Sequence, residues 1–286
     1  MTGKSDGIVA GYDGSPEADR ALRWAVREAQ KRGAVLTVCL AWAPEYLAML
    51  GEASVYDLAQ RKGEEILAKG ARYAGSALGP EMVRPVLARG PAARVLCERS
   101  GTAEMVVAGP RGHGGVAGQR LGSVAWQVAM HAHGPVVIVR GQWHVADHAP
   151  GPVVAGLDLS PATAREAELH SVPLLAVCAL ADAPGMLGGA REMEADFSRA
   201  MARLEKEHPD VTVLRQVTQG SPRGALLAAA AEAQLLVVGC RGRGGIHGMS
   251  LGSVAQALLH HAPCPVAVIR PPAWADHGSI AVGAAG

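Results

Sequence analysis

The stretch MVVAGPRGHGGVAGQRLGSV, residues 105–124, decides how the rest of the chain is interpreted. It opens with a short apolar run that ends at a glycine, which is typical of a strand covered on both faces of a parallel sheet. Gly109, Gly112 and Gly122 follow, and Ser123 begins an apolar pattern typical of a helix. Glycines let backbone N–H groups approach an anion, and a helix N-terminus favours negative charge.

The stretch therefore predicts a loop that binds a phosphate chain. In such a loop Ser123 either caps the helix or donates to a phosphate oxygen. A Cβ at Gly109 or Gly112 is expected to strike phosphate or ribose. The spacing is neither that of the G-x-x-x-x-G-K-[ST] loop nor that of the dinucleotide loop G-x-G-x-x-G.

The same pattern occurs a second time as LLVVGCRGRGGIHGMSLGSV, residues 235–254. Its three glycines and its serine lie 130 residues after those of the first copy: Gly239, Gly242, Gly252 and Ser253. One glycine loop alone could be an ordinary tight turn. Two copies with the same internal spacing favour a duplicated phosphate-binding unit.

The length of 286 residues fits two domains of about 140 residues each. We predict domains at 1–143 and 151–271, a linker at 144–150 and a disordered tail at 272–286. The net charge of +1 gives no electrostatic reason to expect nucleic-acid binding. The sequence contains neither an apolar run long enough for a membrane helix nor a secretory signal, and its five cysteines form no C-x-x-C pair, so we expect a cytoplasmic protein.

Strand and helix patterns alternate through both halves. In the first half strands are predicted at 7–12, 35–42, 82–88, 104–108 and 135–140, with helices between them. The second half repeats this with strands at 153–157, around Cys178, and at 211–217, 235–239 and 265–270. This alternation predicts an α/β fold of two tandem doubly wound domains, each a parallel sheet flanked by helices.

The two halves differ in length before the glycine loops. The separation is 145 residues from Asp13 to Asp158, 139 from Cys39 to Cys178, and 130 from Gly90 to Gly220. If the two cysteines are equivalent, the second half has lost about six residues in its first crossover and about nine more by the third strand. The second domain is therefore expected to have a shortened first helix.

Several polar residues are candidates for the same crevice. Asp13 follows the first strand, so it should meet the Gly109 loop beyond the carboxyl ends of the strands, although it could instead cap the next helix. Arg111 and Arg241 either pair with phosphate or are solvated. The histidine pairs at 131/133 and 144/148 lack a third ligand, so no metal site is expected.

The motif G-x2-G-x9-G-[ST] after a fourth strand, with an aspartate after the first, resembles that of the universal stress protein family. The likeness covers nearly all of both halves, so the chain resembles a tandem member. The resemblance implies five-stranded parallel sheets of order 3-2-1-4-5 and binding of ATP, with or without Mg²⁺. It also implies pairing through the last strand of each domain, here VVIVR at 136–140 and VAVIR at 266–270, and a homodimer built on it.

The resemblance also implies which residues contact the nucleotide. Asp13 would lie beside the ribose and phosphates, and the backbone at Leu40 and Ala41 would face adenine. The ribose and phosphates would be held by the first loop and helix: Gly109, Gly112, Gly122, Ser123 and Val124. The matching positions in the second half are Asp158, Ala179, Leu180, Gly239, Gly242, Gly252, Ser253 and Val254.

Two departures predict unequal sites. Leu159 stands where the first half has Gly14, which is expected to keep the crevice open, and the crossover after Asp158 is short. We therefore expect the first half to bind ATP more tightly than the second.

The sequence favours a nucleotide-binding stress-response module without dedicated catalysis. A slow ATPase or phosphotransfer enzyme is the first alternative, and a structural pairing module that binds no nucleotide is the second. Neither Glu, Gln nor His occurs at a matching place in both loops to act as a base near a terminal phosphate. We therefore expect a binder rather than an enzyme.

Overall fold

The computed structural model describes residues 6–43, 53–114, 120–141, 151–156, 161–180, 187–240 and 251–270. The predicted linker, the predicted disordered tail, Asp158, Leu159, Arg241 and Gly242 all lie outside these residues.

Strands and helices alternate in the first half, as predicted. The strands are β1 (Gly7–Gly11), β2 (Leu36–Trp42), β3 (Val83–Arg89), β4 (Ala103–Ala108) and β5 (Val136–Ile138). The helices are α1 (Pro16–Arg32), α2 (Ala53–Leu78), α3 (Ala92–Arg99) and α4 (Ser123–His131), with a short 3₁₀ helix at Pro80–Met82.

The second half repeats the pattern. Its strands are β6 (Val153–Ala155), β7 (Leu174–Leu180), β8 (Val213–Gln219), β9 (Leu235–Gly239) and β10 (Val266–Ile269). Its described helices are α5 (Pro161–His170), α6 (Leu187–Glu207), α7 (Pro222–Ala229) and α8 (Ser253–His261).

All ten strands form one sheet in the order β3-β2-β1-β4-β5-β10-β9-β6-β7-β8. Each half is therefore a five-stranded parallel sheet of order 3-2-1-4-5, which confirms the predicted fold class. The halves join where β5 and β10 pair antiparallel, with Val137 opposite Ala267. This pairing confirms the predicted union of the two last strands within one chain and makes the whole sheet mixed.

The sequence of helix α1 explains where both of its ends lie. Ser15 is the N-cap, because its Oγ accepts a hydrogen bond of 3.2 Å from the N–H of Ala18, and Pro16 occupies the first helical position. Gly33 ends the helix in the left-handed conformation, with φ of 60°. Helix α1 has 17 residues whereas the corresponding α5 has 10, so the first helix of the second half is shorter, as expected.

The apolar side chains form one core layer on each side of the sheet, and both layers run across the two halves. Alternate residues of β2 enter different layers. Val38 and Leu40 pack with α1 and α2, whereas Cys39 packs with α3 and Ala41 contacts the same layer. This alternation decides which residues of β2 can face the crevice described below.

Two arginines reinforce the junction between the halves. Arg140 follows β5 and donates to the carbonyls of Leu258 and Leu259 near the end of α8. Arg270 follows β10 and donates to the carbonyl of Ala129 near the end of α4. A cation near a helix C-terminus is favourable, so each half stabilises a helix of the other.

The register of β7 corrects the equivalence of the two cysteines. The carbonyl of Trp42 accepts a 2.8 Å bond from the N–H of Gly90, and that of Leu180 accepts a 2.9 Å bond from Gly220, so Leu180 corresponds to Trp42. Cys178 then corresponds to Leu40, and both lie in the same core layer, opposite the layer of Cys39. The prediction that the cysteines match was wrong by one residue, which in a strand reverses the face.

The corrected register also corrects the lengths. The first crossover of the second half is shorter by seven residues rather than six, which equals the difference between the 17 residues of α1 and the 10 of α5.

All five cysteines are free thiols, and all but Cys97 are buried. Among the described helices, none is long and apolar enough to cross a membrane.

Candidate functional site

A crevice opens in the first half beyond the carboxyl ends of β1 and β4, which are neighbours in the sheet. Its volume is about 350 Å³, within the range of small-molecule sites. The crevice brings together seven of the predicted site residues: Asp13, Ala41, Gly109, Gly112, Gly122, Ser123 and Val124. The expectation that Asp13 and the glycine loop meet is therefore confirmed.

Asp13 ties the end of β1 to the glycine loop. Its Oδ1 accepts a hydrogen bond of 3.0 Å from the N–H of Ser15, and its Oδ2 accepts one of 2.9 Å from the N–H of His113. Because Ser15 is the N-cap of α1, the alternative that Asp13 caps this helix is wrong. Asp13 instead holds the loop closed against the start of α1.

These contacts also set the charge of Asp13. Burial alone would raise the pKa of its carboxyl, but the hydrogen bonds from Ser15 and His113 hold the pKa below its ordinary value. The group is therefore a carboxylate at neutral pH. The stability that it contributes is present above the pKa of an unfolded aspartate and is lost as the pH falls through the lower pKa of the folded state.

Two glycines of the loop are required by the protein itself. A methyl group at Gly112 would overlap Oδ2 of Asp13, and one at Gly109 would lie 2.9 Å from the carbonyl carbon of Glu17 in α1. In both places a Cβ would meet a protein atom, and the predicted clash with phosphate or ribose stays a prediction. The glycines thus allow the loop to approach Asp13 and the first turn of α1.

The start of α4 forms the floor of the crevice on the predicted phosphate side. Gly122 is the N-cap, with φ of −82° and ψ of 163°, and its N–H donates a 2.7 Å bond to the carbonyl of Pro110. Ser123 is the first helical residue and is exposed, and Gly122 occupies the N-cap position, so the capping alternative for Ser123 is wrong. Its hydroxyl lines the crevice at the positive end of the helix.

Arg111 has a partner that the sequence did not indicate. Its Nη2 lies 3.2 Å from Oε1 of Glu17, which also contacts Arg20 at 3.4 Å. Arg111 lines the crevice while it is paired with Glu17 in the first turn of α1. Simple solvation therefore does not describe Arg111, and its pairing with phosphate stays a prediction.

The predicted adenine side is formed by β2 and α3. Ala41 and Cys39 line the crevice, whereas the side chain of Leu40 enters the opposite core layer. Ala92 and Leu96 of α3 also line it and were missed, because their spacing in sequence is that of ordinary helix core residues. Strand β2 thus offers small side chains on this face, next to an apolar wall.

Two further residues that line the crevice were not predicted from the sequence. Tyr12 follows β1, and its hydroxyl donates a 2.8 Å bond to Asp19 in α1. Burial, and then Asp19, raise the pKa of Tyr12. The backbone N–H of His113 binds Asp13, and every residue type except proline supplies such a donor, so no sequence signal could have indicated this contact.

The second half repeats the helix start. Gly252 is the N-cap of α8, Ser253 is its first residue and Val254 follows, and the N–H of Gly252 donates a 2.7 Å bond to the carbonyl of Cys240. Gly239 ends β9. The corrected register makes Ala179 equivalent to Ala41 and Leu180 equivalent to Trp42, so the pair that matches Leu40 and Ala41 is Cys178 and Ala179 rather than Ala179 and Leu180.

The role of Gly14 in the structure differs from the one expected from the sequence. Its φ is 80°, and a Cβ there would lie 3.0 Å from the side chain of Ile66 in α2. The glycine therefore serves a left-handed turn and a close approach of α2, and a side chain at this position would contact that helix.

Two parallel half-sheets of order 3-2-1-4-5, each with a glycine near the end of its fourth strand and a helix N-terminus after it, define a tandem α/β protein, and a crevice lies at the carboxyl ends of the strands in its first half. The model of the universal stress protein family matches residues 5–140 and 143–270. The chain belongs to the universal stress protein family and contains two of its domains in tandem.

Individual relatives cover both halves. A universal stress protein of Mycolicibacterium smegmatis is 34% identical over 285 residues, which span 93% of this chain and 97% of the relative. A universal stress protein structure from Archaeoglobus fulgidus has a TM-score of 0.67 at 20% identity and covers 93% of this chain and 97% of its own, which shows the fold. A shorter structure, a universal stress protein in complex with cAMP, is 26% identical, covers 48% of this chain and 97% of its own, and has a TM-score of 0.39.

Proposed function

We propose that this universal stress protein binds ATP in the crevice of its first half and acts as a nucleotide-dependent regulatory module without dedicated catalysis. The observation that carries the proposal is the loop held by Asp13. The carboxylate fixes the backbone at His113 and lies beside the N-terminus of α4, where Gly122 and Ser123 face the same space. A polyphosphate at this helix start would meet the N–H groups of the first helical turn and the positive end of the helix dipole.

The remaining walls suit a nucleoside. Adenine is flat and largely apolar, and the side formed by Ala41, Cys39 and Leu96 offers an apolar surface next to the end of β2. The exposed Val124 would cover the sugar side. Arg111 supplies a positive charge at the mouth, and an incoming phosphate would compete with Glu17 for it.

The pair formed by His113 and Asp13 favours slow hydrolysis as a second candidate function. Nδ1 of His113 lies 3.5 Å from Oδ2 of Asp13, and both residues line the crevice. A histidine beside a carboxylate can accept a proton from water. The second loop has Arg243 at the equivalent position, so any such activity would belong to the first half alone.

One assay distinguishes binding from hydrolysis. Purified protein is mixed with an excess of ATP, and ADP release is followed for hours against buffer and against the His113→Gln variant. A pure binder releases no more ADP than buffer does, and this is the outcome we expect. Release that disappears in His113→Gln would show a slow ATPase and would contradict the proposal that catalysis is absent.

Replacing Gly112 with alanine should weaken ATP binding because the new methyl group displaces the Asp13 carboxylate. Loss of one hydrogen bond to a charged group costs about 1.5–3 kcal/mol, which corresponds to a loss of affinity of about 10- to 100-fold. Calorimetric titration measures the effect, and circular dichroism reports whether the fold is kept.

Gly114→Ala is the matched control in the same crevice lining, because a Cβ at Gly114 would meet no atom of the described residues within 4 Å. It should leave the protein architecture unchanged, and its affinity for ATP should fall by much less than that of Gly112→Ala. Equal affinity of wild type and a well-folded Gly112→Ala protein would remove the assignment of this loop to the phosphate chain.

A further inference from the structure

A cluster of ionisable side chains is buried between α1 of the first half and α5 of the second. Glu28 and Arg32 lie one turn apart on α1, and Glu166 and His170 lie one turn apart on α5, so each pair shares one helix face. The side chains of Glu28, Glu166 and His170 are only 1%, 8% and 5% exposed. Because charged groups are seldom buried without partners, each atom of the cluster needs one.

Arg32 accounts for one oxygen of each carboxylate. Its Nε lies 2.6 Å from Oε1 of Glu28, and its Nη2 contacts Oε1 of Glu166. The second oxygen of each glutamate faces His170, whose Nε2 lies 3.0 Å from Oε2 of Glu28 and 4.0 Å from Oε2 of Glu166. Among the described residues, neither Oε2 of Glu166 nor Nε2 of His170, both buried, has a hydrogen-bond partner of acceptable geometry.

The side-chain amide of Gln234 favours the His170 tautomer that has a lone pair, and no proton, on Nε2. Nε2 of Gln234 donates a 2.9 Å bond to the carbonyl of Gly151, which turns its Oε1 towards His170. That Oε1 lies 3.2 Å from Nδ1 of His170 and can only accept, so this contact requires a proton on Nδ1. Histidines that bind metal ions commonly donate the other ring N–H to a carbonyl in this way.

We propose that Glu28, Glu166 and His170 form a binding site for a divalent transition-metal ion, with Zn²⁺ as the best match, that joins the two halves. Two carboxylate oxygens and an imidazole nitrogen, all acceptors, converge in a buried place where one guanidinium faces two carboxylates. One ligand atom from each residue lies within 4.8 Å of the others. In a tetrahedral zinc site ligand atoms are about 3.3 Å apart, between the 3.0 and 4.0 Å observed here. A water molecule would complete the coordination.

Arg32 fits this site as a partner of the ligands. A carboxylate that binds a metal through one oxygen is commonly hydrogen-bonded through the other, and Arg32 supplies that bond to both glutamates. Mixed oxygen and nitrogen ligands, with no thiolate, suit zinc and its neighbours in the first transition series rather than Cu⁺ or an iron–sulfur cluster.

Lys31 is the competitor of the metal ion. Its Nζ lies 2.6 Å from Nδ1 of His170. An ammonium that donates to Nδ1 would place the ring proton on Nε2, where it would point at Glu28 and block metal binding. Lys31 is exposed, so its side chain can leave the ring. Metal binding and this lysine contact exclude each other, and Lys31→Met should therefore tighten metal binding.

The test uses the full chain without a polyhistidine tag and without nucleotide, after dialysis against a chelator. Titration calorimetry with ZnCl₂ should show one equivalent bound tightly, and zinc should raise the melting temperature. His170→Gln and Glu166→Gln should each abolish this binding event, and Gln234→Leu should weaken it by about 10- to 100-fold. Co²⁺ added to the wild type should give the intense visible absorption of a tetrahedral site.

Glu168 and His208 provide the matched control. They form a Glu–His pair at 3.4 Å in which Glu168, on α5 itself, is exposed and His208 is half-buried. Glu168→Gln and His208→Gln should leave the tight zinc binding unchanged. The proposal is overturned if wild-type protein binds no zinc tightly, if its cobalt complex has only the weak absorption of a hydrated ion, or if His208→Gln lowers affinity as much as His170→Gln. Because the first two readouts use the wild type, they decide the matter even if a variant fails to fold.

Discussion

Replacing Asp13 with alanine should weaken the tighter ATP-binding event by about 10- to 100-fold or more, which corresponds to about 1.5–3 kcal/mol for a lost hydrogen bond to a charged group. The variant loses both oxygens that hold Ser15 and His113, so the glycine loop is released from the start of α1. The phosphate side of the crevice would then have to be ordered by the ligand, at the expense of affinity. Calorimetric titration of wild type and variant measures the change.

Asp158→Ala is the corresponding change in the second half, and we expect it to leave the tighter event unchanged and to affect a weaker one. Helix α5 is seven residues shorter than α1, so the second adenine side should be displaced relative to its loop. Asp57→Asn, on the exposed surface of α2, should change neither event. Two equal and independent sites in the wild type would contradict the asymmetry, and full affinity in Asp13→Ala would contradict the role of Asp13.

Replacing Val137 with aspartate should lower the free energy of unfolding by more than about 3 kcal/mol, because it buries a carboxylate without a partner. Val137 is 1% exposed and lies opposite Ala267, where β5 meets β10 at the centre of the sheet. The change therefore acts on both halves at once. Denaturant unfolding followed by circular dichroism measures the effect.

Val217→Asp is the matched control, since the same substitution falls on the edge strand β8 at a side chain that is 45% exposed. Exposed substitutions of this kind usually change stability by less than about 0.5 kcal/mol. If Val137→Asp were as mild as Val217→Asp, the junction of β5 and β10 would not be buried in solution, and the internal pairing of the halves would be wrong.

The fold could be predicted because two strong local signals agree. Ser15-Pro16 and Gly33 mark the ends of α1 without any knowledge of the fold, and the structure places both at the helix ends. The repeated glycine loop identifies the fourth strand of each half. Parallel strands that alternate with helices are compatible with only a few sheet topologies. The antiparallel pairing of β5 and β10 is expected because both are apolar edge strands whose backbone groups would otherwise be unpaired.

The details of the site could not be predicted, because they depend on which face of a strand or helix a residue occupies. Cys39 and Cys178 look equivalent in sequence, yet a register one residue away puts them in opposite core layers. The partner of Gly112 is a carboxylate oxygen 99 residues earlier, and Arg111 pairs with Glu17 across the loop. The cluster of Glu28, Glu166 and His170 joins the two halves, so no local spacing indicates it.

Hydrogen exchange of the full chain with and without ATP tests the central claim most directly, because it locates the nucleotide on the sequence. We predict that ATP slows exchange of the backbone amides at 109–114 and at 122–126, with a smaller effect at 39–42, and that Asp13→Ala removes this protection at the same ATP concentration. Unchanged exchange in these segments at saturating ATP, or protection confined to the second half, would contradict the assignment of the crevice in the first half as the principal ATP site.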